Sequence, residues 1–193
     1  MWSEKYRPQS ISDMVGNEEP RASIIEWFAK WKKGTKPLLI VGPPGIGKTT
    51  IAYLLAKQFD YDMIGLNASD VRSKSRINEI LTPVLGNVSV LGTPMIFVDE
   101  VDGIHGRGDY GGAAALVDIL KKSNIPILLA ANYDDSDKMK SIKKTVTTIS
   151  FKKIPPRLLR VYLDNILEKE NEKLSPGSLI KVIDKSKGDI RSM

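Results

Sequence analysis

The sequence predicts an α/β fold, a parallel five-stranded sheet flanked by helices, and three observations predict it. Short apolar runs of strand length alternate with helical patterns from residue 37 to residue 151, the order that builds a parallel sheet covered on both faces. The run Met95-Ile96-Phe97-Val98 is wholly apolar and ends in two acids, Asp99-Glu100, as expected of a central parallel strand. The run Leu38-Leu39-Ile40-Val41 leads directly into Gly42-Pro43-Pro44-Gly45-Ile46-Gly47-Lys48-Thr49. That octapeptide matches the phosphate-binding pattern G-x-x-x-x-G-K-[ST] at every fixed position, and Thr50 and the residues after it read as a helix.

The elements follow in order. Residues 1–20 read as irregular, with turn signals at Arg7-Pro8 and Gly16-Asn17. Ile24, Ile25, Phe28 and Trp31 fall at helical spacing and predict an amphipathic helix over 20–33, stopped by Gly34. Trp27, Phe28 and Trp31 on it read as packing groups rather than a base-stacking platform. A strand at 37–41, the glycine loop and a helix to about residue 59 come next, then a second strand at 62–67. Asp70 is a good N-cap for a helix to about residue 81, and residues 83–94 are rich in turn formers. The third strand ends at Asp99-Glu100, and a glycine-rich stretch at 103–112 precedes a helix over 113–122. Strands over 125–131 and 146–151 complete the sheet, the last rich in β-branched residues. After Pro155-Pro156 the pattern turns helical, with helices at 156–171 and 176–187 and a third starting near Asp189. This layout predicts an α/β domain over 1–152 and a small helical domain over 153–193. A third helix cut at Met193 predicts that the polypeptide is a fragment of a longer protein.

Composition narrows the function classes. With 193 residues and 41% hydrophobic content, the chain can bury one normal core. It has no cysteine, which excludes disulfides and thiolate metal sites. No run approaches a membrane span, and the N-terminus lacks the layout of a signal peptide, so the expected location is the cytosol. The net charge of +6 permits a nucleic-acid partner without requiring one. Basic residues cluster at 72–76, at 138–144 and around Lys152-Lys153, Arg157 and Arg160, where a solvated surface is the ordinary explanation. His105, the single histidine, has no companion ligand and reads as a loop residue.

The chemistry of the loop follows from its residue types. Glycines let successive backbone N–H groups turn inward around phosphates, and the next helix offers them its positive end. Lys48 can place a point charge on the β- and γ-phosphates, and Thr49 can offer its hydroxyl to Mg²⁺. In an open parallel sheet, ligands sit beyond the carboxyl ends of the strands, where Asp99, Glu100 and Asn132 all fall. Asp99 is suited to hold Mg²⁺, and Glu100 to orient and deprotonate an attacking water. Asn132 is suited to hydrogen-bond that water or the γ-phosphate, although an Asn at a strand end is also an ordinary turn former.

Several strings together resemble one family. Ser3-Glu4-Lys5-Tyr6-Arg7-Pro8, the Gly-Pro-Pro-Gly-Ile-Gly-Lys-Thr loop, Leu66-Asn67-Ala68-Ser69-Asp70, Asp99-Glu100-Val101-Asp102-Gly103 and Gly188-Asp189-Ile190-Arg191 closely resemble replication factor C, the clamp loader of the AAA+ ATPases. Trp2 before the first string and Asp102-Gly103-Ile104-His105-Gly106 give it the flavour of the archaeal large subunit. The resemblance spans nearly the whole chain, with the motifs in the family's order.

The resemblance implies an AAA+ fold with a helical lid, ATP and ADP as ligands with Mg²⁺, and ATPase activity. It places Tyr6, Arg7, Pro8, Val15 and Gly16 against adenine, Asn132 as sensor 1 and Arg191 as sensor 2. Arg72, Lys74, Arg76 and Arg107 become candidates for DNA backbone contacts, beside the plain surface reading. The implied partners are small subunits in a hetero-pentamer, the sliding clamp PCNA and primer–template DNA; no membrane is implied. The implied location is the archaeal cytosol and nucleoid, or the nucleus in a eukaryote, and the collar domain of the family is expected to lie outside this chain. Where small subunits carry the Ser-Arg-Cys finger, this chain has Lys144-Thr145-Val146. Thr145 supplies no charge to a neighbour, so the chain is expected to receive a finger and donate none, and to hydrolyse slowly alone. Other readings are a different AAA+ DNA machine, such as an origin initiator or branch-migration motor, or an assembly scaffold with little hydrolysis.

Overall fold

The computed structural model describes residues 2–67, 75, 77, 79, 92–104, 111–132 and 137–193. Five parallel strands form one sheet: β1 (Leu38–Val41), β2 (Tyr61–Asn67), β3 (Thr93–Asp99), β4 (Ile127–Ala131) and β5 (Thr147–Ser150), in the order β2-β3-β4-β1-β5. The register is regular, with Leu38 opposite both Leu128 and Thr147, and Asn67 opposite Asp99. The predicted fold class is therefore the observed one.

The inner strands β1, β3 and β4 look apolar because both faces are covered. Successive side chains point to opposite faces of a sheet. Leu38, Ile40, Met95, Phe97, Leu128 and Ala130 accordingly share one apolar cluster with Ile24 and Phe28 of α2 (Glu18–Ala29) and Ile51 and Leu55 of α3 (Lys48–Gln58). Leu39, Val41, Ile96, Val98, Ile127 and Leu129 face the other way. They pack on Leu116 and Leu120 of α4 (Gly112–Lys122) and on Met139 and Ile142 of α5 (Asp137–Lys143).

Capping explains where several helices begin and end. Acidic Glu18 and Glu19 open α2 beside its positive end, and Lys30 closes it well before the predicted limit at residue 33. The helix α6 (Pro156–Glu170) has proline at its first position and ends at Asn171 in the left-handed region, φ 54°. In α7 (Pro176–Ser186) the hydroxyl of Ser175 accepts the N–H of Ser178 at 3.2 Å. The third helix expected near Asp189 is a single 3-10 turn, Ile190–Ser192, capped by the Asp189 carboxylate.

Two elements differ from the reading of residues alone. The supposedly irregular N-terminus contains a short helix, α1 (Trp2–Lys5), and a 3-10 turn, Ile11–Asp13. The basic stretch near residue 140 includes the helix α5, whose Met139 and Ile142 are buried. Its charge pattern concealed an amphipathic period too short to read.

One apolar cluster runs from the sheet into the C-terminal helices. Leu159, Leu163, Leu167, Leu179 and Ile183 join Phe28, Leu38 and Ile154 in it. At the junction, Asn17 stands in the left-handed region, φ 53°. Its side-chain amide donates to Lys152 O at 2.9 Å and accepts Lys152 N–H at 2.7 Å, reproducing the double bond of a strand pair.

Candidate nucleotide site

The glycine loop joins the buried end of β1 to the start of α3. Its root is tied to the sheet by Gly42 N–H donating to Ala131 O at 3.1 Å. Gly45 and Gly47 have φ of +69° and +95°, a region costly for residues with a Cβ. Lys48, Thr49 and Thr50 thus begin α3 with their N–H groups facing the loop.

Lys48 is buried, and three oxygens satisfy its ammonium: Gly42 O and Pro43 O, each at 2.7 Å, and Asn132 Oδ1 at 2.8 Å. Burial pushes its pKa below that of an ordinary lysine. Asp99 and Asp102 pull it back, while Arg191 adds to the lowering. The Thr49 hydroxyl donates to Asp99 Oδ2 at 2.6 Å, and Asp99 Oδ1 accepts the Glu100 N–H at 2.9 Å. Asp102, the second acid after β3, accepts the Asn132 N–H at 3.0 Å.

Glu100 has φ 54° and ψ 40°, a left-handed conformation uncommon for a residue of its size. Strain of this kind collects where a side chain must be aimed. The Glu100 side chain is exposed, and Asn67 Nδ2 lies 3.5 Å from its Oε2.

These groups open into one cavity of about 450 Å³, within the range of nucleotide-sized pockets. The structure brings Pro44, Gly45, Ile46, Gly47, Lys48, Thr49, Thr50, Asp99, Glu100, Asn132 and Arg191 together there, with Arg7, Pro8 and Val15 forming an N-terminal wall. Four residues predicted for the site do not line the cavity. Gly42 and Pro43 act through the carbonyls that hold Lys48. Gly16 lies beneath the wall, where a Cβ would stand 2.8 Å from Ile154 Cδ1. The Tyr6 hydroxyl donates to Glu170 Oε1 at 2.8 Å. Arg72, Lys74, Arg76 and Arg107 lie outside the described residues.

Other lining residues escaped prediction: Ser3, Glu4, Asp13, Met14, Tyr162 and Ile190. Arg21 was missed as well. It is buried, and its guanidinium donates to Ile11 O, fixing the turn that carries Asp13, Met14 and Val15. Asp102 had a signal, standing three residues after Asp99 where a turn returns it to the strand end. Tyr162 had none, since helical periodicity accounts for it fully.

The donor set fits a triphosphate with Mg²⁺. Two glycines in the left-handed region leave the loop free of side chains, a cation stands at its centre, and a hydroxyl and carboxylate meet beside it as hard oxygen ligands. Residues 38–171 match the family model described as the ATPase family associated with various cellular activities (AAA). The chain belongs to the AAA family of ATPases. Within that AAA family it is similar across 99% of its length to replication factor C large subunits. It is 42% identical to that of Thermofilum pendens and 40% identical to that of Methanosphaera stadtmanae. The chain spans 48% and 36% of those two relatives. A solved structure of a RuvB variant from Thermotoga maritima shares the AAA fold, with a TM-score of 0.71 over 97% of this chain and 62% of its own, at 16% identity.

Proposed function

We propose that this chain is the ATP-binding and hydrolysing module of a clamp loader large subunit. With small subunits it opens the sliding clamp PCNA and places it on primer–template DNA during replication. The observation that carries this reading is the contact of Lys48 with Asn132 at 2.8 Å. It joins the phosphate loop to the end of β4 in a chain similar throughout to replication factor C large subunits.

Each residue has a role in that reaction. Lys48 exchanges its carbonyl partners for phosphate oxygens, and Asn132 stays beside it to hold the attacking water or the γ-phosphate. Thr49 and Asp99 would hold Mg²⁺, which when bound would supply positive charge to the phosphates. The Glu100 carboxylate orients a water and takes its proton. Arg191 adds a guanidinium from the C-terminal turn, which stabilises charge on the transferring group and links that turn to nucleotide state. Arg7, Pro8 and Val15 enclose the base.

The Thr145 hydroxyl donates to Ile142 O at 2.7 Å, so the residue offers no cation to a neighbouring site. The chain receives its finger from a small subunit, and hydrolysis in isolation is slow. Arg72, Lys74, Arg76 and Arg107 track the DNA backbone without reading sequence. Among the described residues no helix is long and apolar enough to cross a membrane, and we place the complex in the cytosol beside the nucleoid.

Glu100→Gln tests the assignment in the complex assembled with small subunits, clamp and primed DNA. Turnover is expected to fall about 100-fold or more, while ATP affinity stays close to that of the unaltered protein. Full turnover by the Gln variant would refute the catalytic role of Glu100. An unaltered complex whose ATPase responds to neither clamp nor DNA would refute clamp loading.

A further inference from the structure

The N-terminal segment lines the cavity without a scaffold of its own. Ser3, Glu4, Arg7 and Pro8 face the site, yet α1 has four residues and buries none of them, too little to be stable alone. Four side-chain contacts fasten the segment to α6. Lys5 Nζ and the Tyr6 hydroxyl both donate to Oε1 of Glu170, at 2.7 and 2.8 Å. The Tyr162 hydroxyl donates to Tyr6 O at 3.2 Å. Lys169 Nζ stands 5.7 Å from the centre of the Tyr6 ring, within cation–π range.

The chemistry makes Glu170 the centre of this fastening. Its side chain is 19% exposed, and its carboxylate serves two donors from adjacent residues, one of them charged, in the stronger class of hydrogen bond. Bonding to Lys5 and then to Tyr6 holds its carboxyl below the usual carboxylate range. Tyr162 lines the cavity itself, and burial pushes its phenol up, so it remains a neutral donor.

We infer that Glu170 is a positioning residue for nucleotide binding. From outside the cavity, its carboxylate holds residues 3–8 against α6 and so sets the wall that receives the nucleotide. Binding to a wall already in place avoids the cost of ordering a loose segment. Tyr6 then acts through Glu170 rather than through contact with the ligand. This inference rests on reading the cavity as the nucleotide site.

Calorimetric titration with ATP and ADP tests it, using E170A, E170Q, the double variant E170A/Y6F, and K48A as a check on the cavity. E170A is expected to weaken both nucleotides about tenfold. E170Q keeps the acceptor oxygen and should recover most of that loss, which a merely misfolded wall would not allow. Adding Y6F to E170A should cost under about twofold more, because the two act through one contact. In the assembled ATPase, E170A should raise KM and leave turnover at saturating ATP within about twofold. Unchanged affinity in E170A beside a loss in K48A overturns the inference and leaves the nucleotide site standing. Normal binding by K48A overturns the reading of the cavity, and the inference with it. A fall in unfolding midpoint that accounts for the whole affinity loss, with E170Q no better than E170A, also overturns it.

Discussion

The phosphate-loop side of the cavity and its N-terminal side differ in what holds them in place. Gly42 to Thr49, Asp99 and Asn132 follow directly from β1, β3 and β4, whose inner residues are almost completely buried. Residues 3–15 and Arg191 come from short helical turns, held by side-chain bonds to Glu170, Tyr162 and Arg21 and by the Asp189 cap. Phosphate chemistry requires a rigid, close-packed frame, because small displacements of Lys48 or Asp99 weaken charge stabilisation steeply. The N-terminal wall has to admit a ligand, and bonds made near the surface can open without unfolding the sheet. The difference separates a side built on the sheet from a side held by side-chain bonds near the surface.

Substitutions can break this division, and the largest effect is expected where the two sides touch. Gly45 has φ +69°, and a Cβ there would stand 1.6 Å from Asp189 Oδ1. Gly45→Ala therefore forces the C-terminal turn away from the loop. ATP affinity should fall by about 100-fold as backbone strain and the lost contact combine, while α-helical circular dichroism stays unchanged. An affinity within threefold of the unaltered chain would show that the two sides are independent.

A middle-sized effect is expected at the junction. Asn17→Gly keeps a residue at ease at φ 53° and removes both bonds to Lys152. Urea unfolding should show a loss of about 1–2 kcal/mol. If stability is unchanged, the two ends of the wall are held by packing alone.

The smallest effect is a pH dependence on the phosphate side. Burial lowers the pKa of Lys48, so between that lowered value and the ordinary lysine value the folded chain binds fewer protons than the unfolded one. Nucleotide-free stability therefore gains from Lys48 as pH rises through that window. A triphosphate favours the ammonium form. ATP affinity should fall as pH rises through the same window, with proton uptake on binding. Calorimetry in alkaline buffers of different ionisation enthalpy measures that uptake, and its absence would place the ligand away from Lys48.

How much was legible in the sequence follows the same division. The glycine loop, Asp99-Glu100 and Asn132 were readable because their chemistry is tied to strand ends and short spacings. The alternation within β1, β3 and β4 was hidden by uniform apolarity, yet strand length and flanking residues identified them. Tyr162, Glu170 and Arg21 were not readable. Each sits in an ordinary helical pattern, and its purpose depends on a residue brought near by the fold: Tyr6 for the first two, Ile11 for the third. Resemblance supplied Tyr6 and Arg191, and the structure adds that the Tyr6 hydroxyl is bound to Glu170.

The hydrogen bond from Ile190 N–H to Gly45 O, at 3.1 Å, bears on the order of events during synthesis. It seats the C-terminal turn on the phosphate loop, while Tyr6 meets Glu170 across 164 residues. Closing spans of that length slows folding more than it weakens the product. A ribosome adding about 5–20 residues per second releases the loop several seconds before α6 and the C-terminal turn. During that interval the nascent chain carries its loop and residues 3–15 without the Tyr162 and Glu170 bonds that fasten them, and the cavity is complete only after residue 191 has left the exit tunnel.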